Sequence, residues 1–260
     1  MALRDQFRLS EAEALLEEAQ RRFPEDPAPL LEHARIPLFH PLRRERDPEE
    51  ALRRTERLLA KFPFCEEGYL LGVRILRQLG RPAEADELTE IGIGLVPQSA
   101  ALAVEHGNNA REGGDWPEAI WRFGAARQRF PDHSGGSIGL AAALSSSGRH
   151  AEAEQALKEA MQRFPGDAAV FAEFAQIAVR REDWTEALAR WSEAQKRFPD
   201  DQQFAHRIFE ARMNMPESPV DQGAPAVEAG TLDQSVAAPE AQSDPREATR
   251  DLVMQFEPTS

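Results

Sequence analysis

The chain has 260 residues and a formal net charge of -14, which disfavours nucleic acid or an anionic membrane as its main partner because both would repel it. Ala, Leu, Glu, Arg and Gln abound, 29% of residues are charged, and β-branched residues are too sparse to supply the strands of a sheet. Cys65 stands alone, so no intrachain disulfide forms and a reducing cytoplasm fits; no apolar run approaches the ~18 residues of a membrane span, and Met1 to Ser10 lacks the apolar core of a secretory signal.

Residues 1–9 are an N-terminal segment. Ser10 to Phe23 then carries Ala12, Leu16 and Ala19 at helical spacing and closes at Pro24, predicting one helix that is half of a hairpin unit (10–24). A degenerate unit, 32–65, keeps Ala51 and Pro63 but has Pro37 and Pro41 inside its first helix, which should be kinked or broken there. Four better units follow at 66–99, 100–133, 134–167 and 168–201. Their prolines, Pro97, Pro131, Pro165 and Pro199, continue from Pro63 at intervals of 34 residues, a period that marks a stacking unit.

Unit 100–133 shows the design. Its first helix carries Gly107 and Ala110, Gly114-Asp115 makes a turn, and a second helix carries Ala119, Phe123 and Ala126 before Pro131. The small residues let two helix backbones close on one another while Trp116 and Phe123 fill the space beside them. The frame recurs as Ala153, Leu157 and Ala160, then as Trp184, Ala187, Trp191 and Ala194. Phe204, Ile208 and Phe209 lie at helical spacing and predict a capping helix at 203–214. Residues 215–245 read as an acidic disordered linker, and the chain beyond Pro216 carries half of the net negative charge. The short segment 246–260 regains Leu252, Val253, Met254 and Phe256, too few to bury a core alone.

A second period lies on the first. After the inter-helix turn the chain reads Asp47, Arg81, Asp115, Arg149, Asp183, and each Asp has a Glu three residues on, the signature of a capping box. The unit is then a pair of repeats. Arg81 and Arg149 either reach neighbouring Asp side chains along one edge of the stack or stand solvated beside ordinary caps. Each Arg or Lys before the Phe-Pro pairs opposes a helix dipole, by roughly 0.3–1 kcal/mol.

These positions in register resemble the tetratricopeptide repeat of bacterial type, whose 34-residue unit favours small residues at its eighth, twentieth and twenty-seventh positions, an aromatic at the twenty-fourth and proline at the thirty-second. The resemblance implies an all-α fold, a right-handed α-solenoid of stacked antiparallel helix hairpins, with first helices lining a concave face. It selects a candidate partner groove: Glu67, Leu70, Leu71, Arg74, Arg77 and Gln78; then Glu105, Asn108, Arg111 and Glu112; then Ala142, Ser145 and Ser146; then Glu173, Gln176 and Arg180. Members that bind chaperones clamp a terminal carboxylate with asparagine and cations; Asn108 fits such a place, whereas Glu105 and Glu173 stand where Asn or a cation is needed.

No constellation for chemistry stands out. The six histidines have neither the paired spacing nor the Cys partners of a zinc site, and the glycine clusters at Gly92 to Gly94 and Gly135 to Gly139 follow no strand, so they do not meet the context of a phosphate cradle. No catalytic, cofactor or metal residue is expected. The function expected is a cytoplasmic, non-catalytic scaffold that binds a protein or peptide in its groove. The alternative is a regulatory or substrate-presenting arm of a glycosyltransferase-like enzyme whose catalytic domain lies outside this chain, as the N-terminal repeat region of a longer protein.

Overall fold

The computed structural model describes residues 9–39 and 46–215. The expected linker and C-terminal segment, like Pro41, lie outside the described residues except for Met215. Within them every regular element is helical: α1 (Leu9–Arg22), α2 (Ala28–Arg35), a 3-10 turn (Ile36–Phe39), α3 (Pro48–Lys61), α4 (Glu66–Gln78), α5 (Pro82–Leu95), α6 (Ala100–Glu112), α7 (Trp116–Arg129), α8 (Gly135–Ser146), α9 (His150–Arg163), α10 (Ala168–Arg180), α11 (Trp184–Arg197) and α12 (Gln202–Met213). Each helix packs against the next, so the chain is a stack of hairpins whose even-numbered members are first helices and odd-numbered members second helices.

Local chemistry sets the helix limits. Asp47, Asp115 and Asp183 each accept a hydrogen bond from the backbone N–H of the Glu three residues on, at 2.9, 3.1 and 3.0 Å, capping α3, α7 and α11. Ser99 caps α6 in the same way, while Asp167 and Asp201 cap α10 and α12 from two residues away. The first helices stop at Gly80, Gly114 and Gly148, whose φ values of 71, 75 and 83° belong to the left-handed region. The next N–H turns back to the helix, as from Asp115 to Ala110 O, which is the Schellman closure. The fourth such slot holds Glu182, at φ 57°. A side chain with a Cβ is strained there, so Glu182→Gly is expected to raise stability by about 0.5–1 kcal/mol in urea unfolding, and a loss would show the turn to be relaxed as it stands.

The degenerate unit departs from the others in its first helix. That helix begins at Ala28, four residues ahead of the predicted start of the unit, and α-helix gives way to the 3-10 turn just before Pro37, which can donate no backbone hydrogen bond.

Packing follows the small-and-large alternation. Phe123 is fully buried, and a Cβ added at Gly107 would lie 2.6 Å from its ring, one added at Gly139 2.2 Å from it. One aromatic knob thus fills a hole made by two successive first helices. Ala119, Ala126, Ala153, Ala160, Ala187, Trp191 and Ala194 are buried as well, whereas Trp184 is half-buried at the edge of the same core. The far end is closed by α12, whose Phe204 stacks on Trp191 and Phe198 with ring centroids 5.9 and 6.0 Å apart. At the near end α1, with no first helix before it among the described residues, has no buried residue.

Successive first helices pack directly on each other, α4 on α6, α6 on α8 and α8 on α10, whereas successive second helices are spread apart. A stack that is closer on one side curves toward it. The first helices therefore form the inner face and the second helices the outer one.

Candidate functional site

The inner face is made of the outward stripes of α4, α6, α8 and α10. On α4, Glu67, Arg74 and Gln78 are exposed and Leu70 half-buried; on α6, Glu105, Asn108 and Arg111 are half-buried and Glu112 exposed. Three of the predicted groove residues do not belong. Leu71 is 6% exposed, locked in the core with Val73 and Leu76, and Ser145 is 2% exposed with its hydroxyl 3.1 Å from His150 Nδ1. Ala142 is buried too, because the glycines of α8 let this helix sink between its neighbours. At Gly136 an added Cβ would come within 2.5 Å of the Arg127 backbone, so the cluster at Gly135 to Gly139 serves close packing. Only Ser146 among the predicted residues of α8 stays exposed.

Charge on this face is partly spent internally. Arg77 on α4 crosses to α6, where it pairs with Glu105 and lies 3.3 Å from Glu112. Arg180 pairs with Glu173 at 2.6 Å on α10, beside Gln176. Arg74 and Arg111 are drawn into none of these pairs. They are the cations the face has left to offer.

Arg77 also donates to Asn109 Oδ1 at 3.2 Å, and Asn109 is buried. Its amide nitrogen donates to Thr89 Oγ1 at 2.9 Å and to Asp86 Oδ1 at 3.3 Å, and Asp86 in turn binds Arg122 through both oxygens. A polar chain thus runs from the inner face through the layer to the outer one. Sequence reasoning missed it, although its signal was present: the slot of Asn109 holds Ile75, Ala143 and Ile177 in the other units.

On the outer side the two-repeat period becomes physical. Arg54, Arg122 and Arg190 stand 68 residues apart. Each donates to the glutamate one turn earlier, to a backbone carbonyl of its own unit's first helix (His33, His106, Phe174), and to a carboxylate of the preceding second helix (Glu13, Asp86, Glu154). In the intervening units the arginine slot holds Leu88 and Ala156 and the acid slot holds Ile120. Odd and even joints are built differently. Burial alone would raise the Asp86 carboxyl, but hydrogen bonds from Arg122 and Asn109 outweigh it and hold it below the usual aspartate range; Glu154 is held low by Arg190 against the same burial.

Arg81 and Arg149 take the solvated role with one addition. Each clasps the Glu three residues on, Glu84 and Glu152, and Arg81 also reaches Glu49 of the preceding unit at 3.3 Å; the neighbouring Asp side chains are occupied as caps. The basic residues before the prolines do more than oppose a dipole. Arg129 and Arg197 donate to the Pro97 and Pro165 carbonyls at 2.6 and 2.8 Å, Lys61 to that of Pro24, and Arg163 to Asp132. They tie each unit to the one before.

Among the described residues one trio of metal-capable side chains converges, Asp86, Glu90 and His106. Both Asp86 oxygens are taken by Arg122, so a guanidinium already stands where a cation would bind. Burial first, and Arg122 second, push the His106 pKa down, which keeps the ring neutral at pH 7. Burial likewise raises the pKa of the Cys65 thiol, leaving it a poor nucleophile. No helix of the described residues is long and apolar enough to cross a membrane.

Family models for the tetratricopeptide repeat match residues 104–168 and 144–206. No curated protein matches the sequence. Similar solved structures include yeast Tom70, with a TM-score of 0.60 and 20% identity over 73% of this chain and 39% of that one. A tetratricopeptide repeat protein from Parabacteroides merdae has a TM-score of 0.56 and 15% identity, over 84% of this chain and 91% of its own. A thermophilic repeat protein of Thermus thermophilus has a TM-score of 0.53 and 19% identity, over 64% and 91%. At these identities the likeness is one of fold.

Proposed function

The chain carries tetratricopeptide repeats, and we propose that it is a non-catalytic cytoplasmic scaffold that holds an acidic, extended segment of a partner protein on its inner face. The observation that carries this reading is the division of charge along α4 and α6. Arg77 is neutralised by Glu105 and Glu112, whereas Arg74 and Arg111 flank that pair without entering it. Two spare cations beside a half-buried Asn108 suit a carboxylate-bearing peptide better than an apolar one. Gln78 and Gln176 add neutral hydrogen-bonding groups, and Leu70 adds an apolar contact.

The test uses a fluorescein-labelled peptide of alternating Asp and Ser, titrated with the full chain. The double variant Arg74→Glu, Arg111→Glu should weaken binding at least about tenfold, while Arg180→Glu should change it little, because Arg180 already pairs with Glu173. Equal affinity of wild type and double variant would remove the assignment.

A further inference from the structure

The outer face carries a departure from the repeat that packing within the chain does not explain. On α5, Ile91 and Leu95 are 48% and 39% exposed; on α7, Trp121 is 65% exposed. The other copies supply an internal control. The slot of Leu95 holds Lys61, Arg129, Arg163 and Arg197, that of Ile91 holds Arg57, Ala125, Glu159 and Glu193, and that of Trp121 holds Arg53, Glu87, Gln155 and Ala189. Stacking is satisfied with polar or small residues at these places, so it does not call for Ile, Leu and Trp.

Two glycines reinforce the point. Gly124 sits in the interior of α7, where glycine weakens a helix, and Gly94 lies in the last turn of α5; an added Cβ at either would meet nothing within 4 Å. The remaining helical glycines of α4, α5 and α6 each make room for a side chain of the stack. Open helical glycines let another backbone approach. Clefts of about 170 Å³ between α3 and α5, floored by Leu52 and Leu88, and of about 230 Å³ between α5 and α7, lined by Ile93 and Trp121, run on either side of α5.

Charge decides what fits. Helix α5 holds Glu84, Asp86, Glu87 and Glu90 and no base, and its last turn lacks the cation that closes the other second helices of complete units. Arg81 neutralises Glu84 and Arg122 neutralises Asp86, which leaves Glu87, with Glu56 across the first cleft, as an acidic rim around apolar ground; the second cleft holds Glu90 together with Arg122 and with Arg129, which donates to the Pro97 carbonyl. We propose that this patch on α3, α5 and α7 docks a basic amphipathic helix of a partner protein. Its apolar residues enter the clefts beside Ile91 and Trp121, and its Lys or Arg side chains meet Glu56, Glu87 and Glu90 and the carbonyl end of α5. The surface is separate from the inner-face groove.

The probe is an 18-residue amphipathic helix of leucine and lysine, with a leucine–glutamate helix of the same pattern as control, titrated into the full chain by calorimetry. The leucine–lysine helix should bind. Trp121→Glu, Ile91→Glu and Glu87→Lys, all surface changes checked for intact folding by circular dichroism, should each weaken it at least about tenfold. Arg74→Glu with Arg111→Glu should leave it unchanged, which separates this site from the groove. No binding, equal binding of the leucine–glutamate helix, or affinity indifferent to the three patch variants would overturn the proposal. So would self-association of the chain that Trp121→Glu abolishes, since the occupant would then be a second copy.

Discussion

Phe123→Ala is expected to destabilise the array by about 3–5 kcal/mol, among the larger effects open to any single residue here. The ring is fully buried, and both walls of its hole are backbone, at Gly107 on α6 and Gly139 on α8. Side chains can swing into a void; helix backbones held by their own hydrogen bonds cannot, so the cavity left by alanine stays open. The loss falls at the centre of the stack. In a solenoid each unit is stabilised mainly by its neighbours, so weakening α6, α7 and α8 together should also split the unfolding curve of the variant into two steps. Urea unfolding followed by circular dichroism reads both effects. Phe123→Leu, which keeps most of the volume, should cost less than about 1.5 kcal/mol. A loss below 1 kcal/mol for the alanine variant would mean that the helices close over the gap, and the two-glycine hole would be the wrong account of this joint.

That hole was half legible in the sequence. Gly107 and Phe123 stand at known places of the 34-residue frame, and the frame placed the hairpins, their turns and their Asp caps. Gly139 belonged to a glycine cluster whose role showed only once α8 was seen to sink against α7. The groove was less legible. Periodicity says which residues share a helix face, but not how deeply a helix lies, and so Leu71 and Ser145 were placed on a surface that buries them. Nor does it say which charges find each other across units. Arg77 and Glu105 are 28 residues apart, and nothing in either repeat alone distinguishes a spent arginine from a spare one such as Arg74. The alternation of Asp47, Arg81, Asp115, Arg149 and Asp183 was visible at once, yet it marked the paired unit without pointing to Arg54, Arg122 and Arg190, which share its period and bond across the same joints.

Arg122→Ala is expected to cost about 2–3 kcal/mol, for a reason distinct from lost volume. Arg122 is 11% exposed and satisfies Asp86, Glu118 and the His106 carbonyl at once. Alanine leaves the Asp86 carboxylate part-buried between helices with only the Asn109 amide and, 3.7 Å away, the His106 ring to answer it, and a poorly compensated charge of that kind outweighs what the pair itself contributed. The chain supplies its own control, because the next joint along the stack holds Ile120 and Ala156 in the corresponding slots. Asp86→Ile combined with Arg122→Ala should therefore recover stability to within about 1 kcal/mol of wild type, while each single change is worse. The pH dependence has a definite sign. Asp86 titrates lower in the folded chain than in the unfolded one, so its contribution is fully present above the unfolded aspartate value near 4 and is lost as pH falls through the lower folded value. The advantage of wild type over the double variant should shrink on acidification below about pH 4 and hold steady from 5 to 7. A double variant as unstable as Arg122→Ala alone would show that the arginine acts through its packing and its bond to the His106 carbonyl, and that the paired unit is not defined by the ion pair.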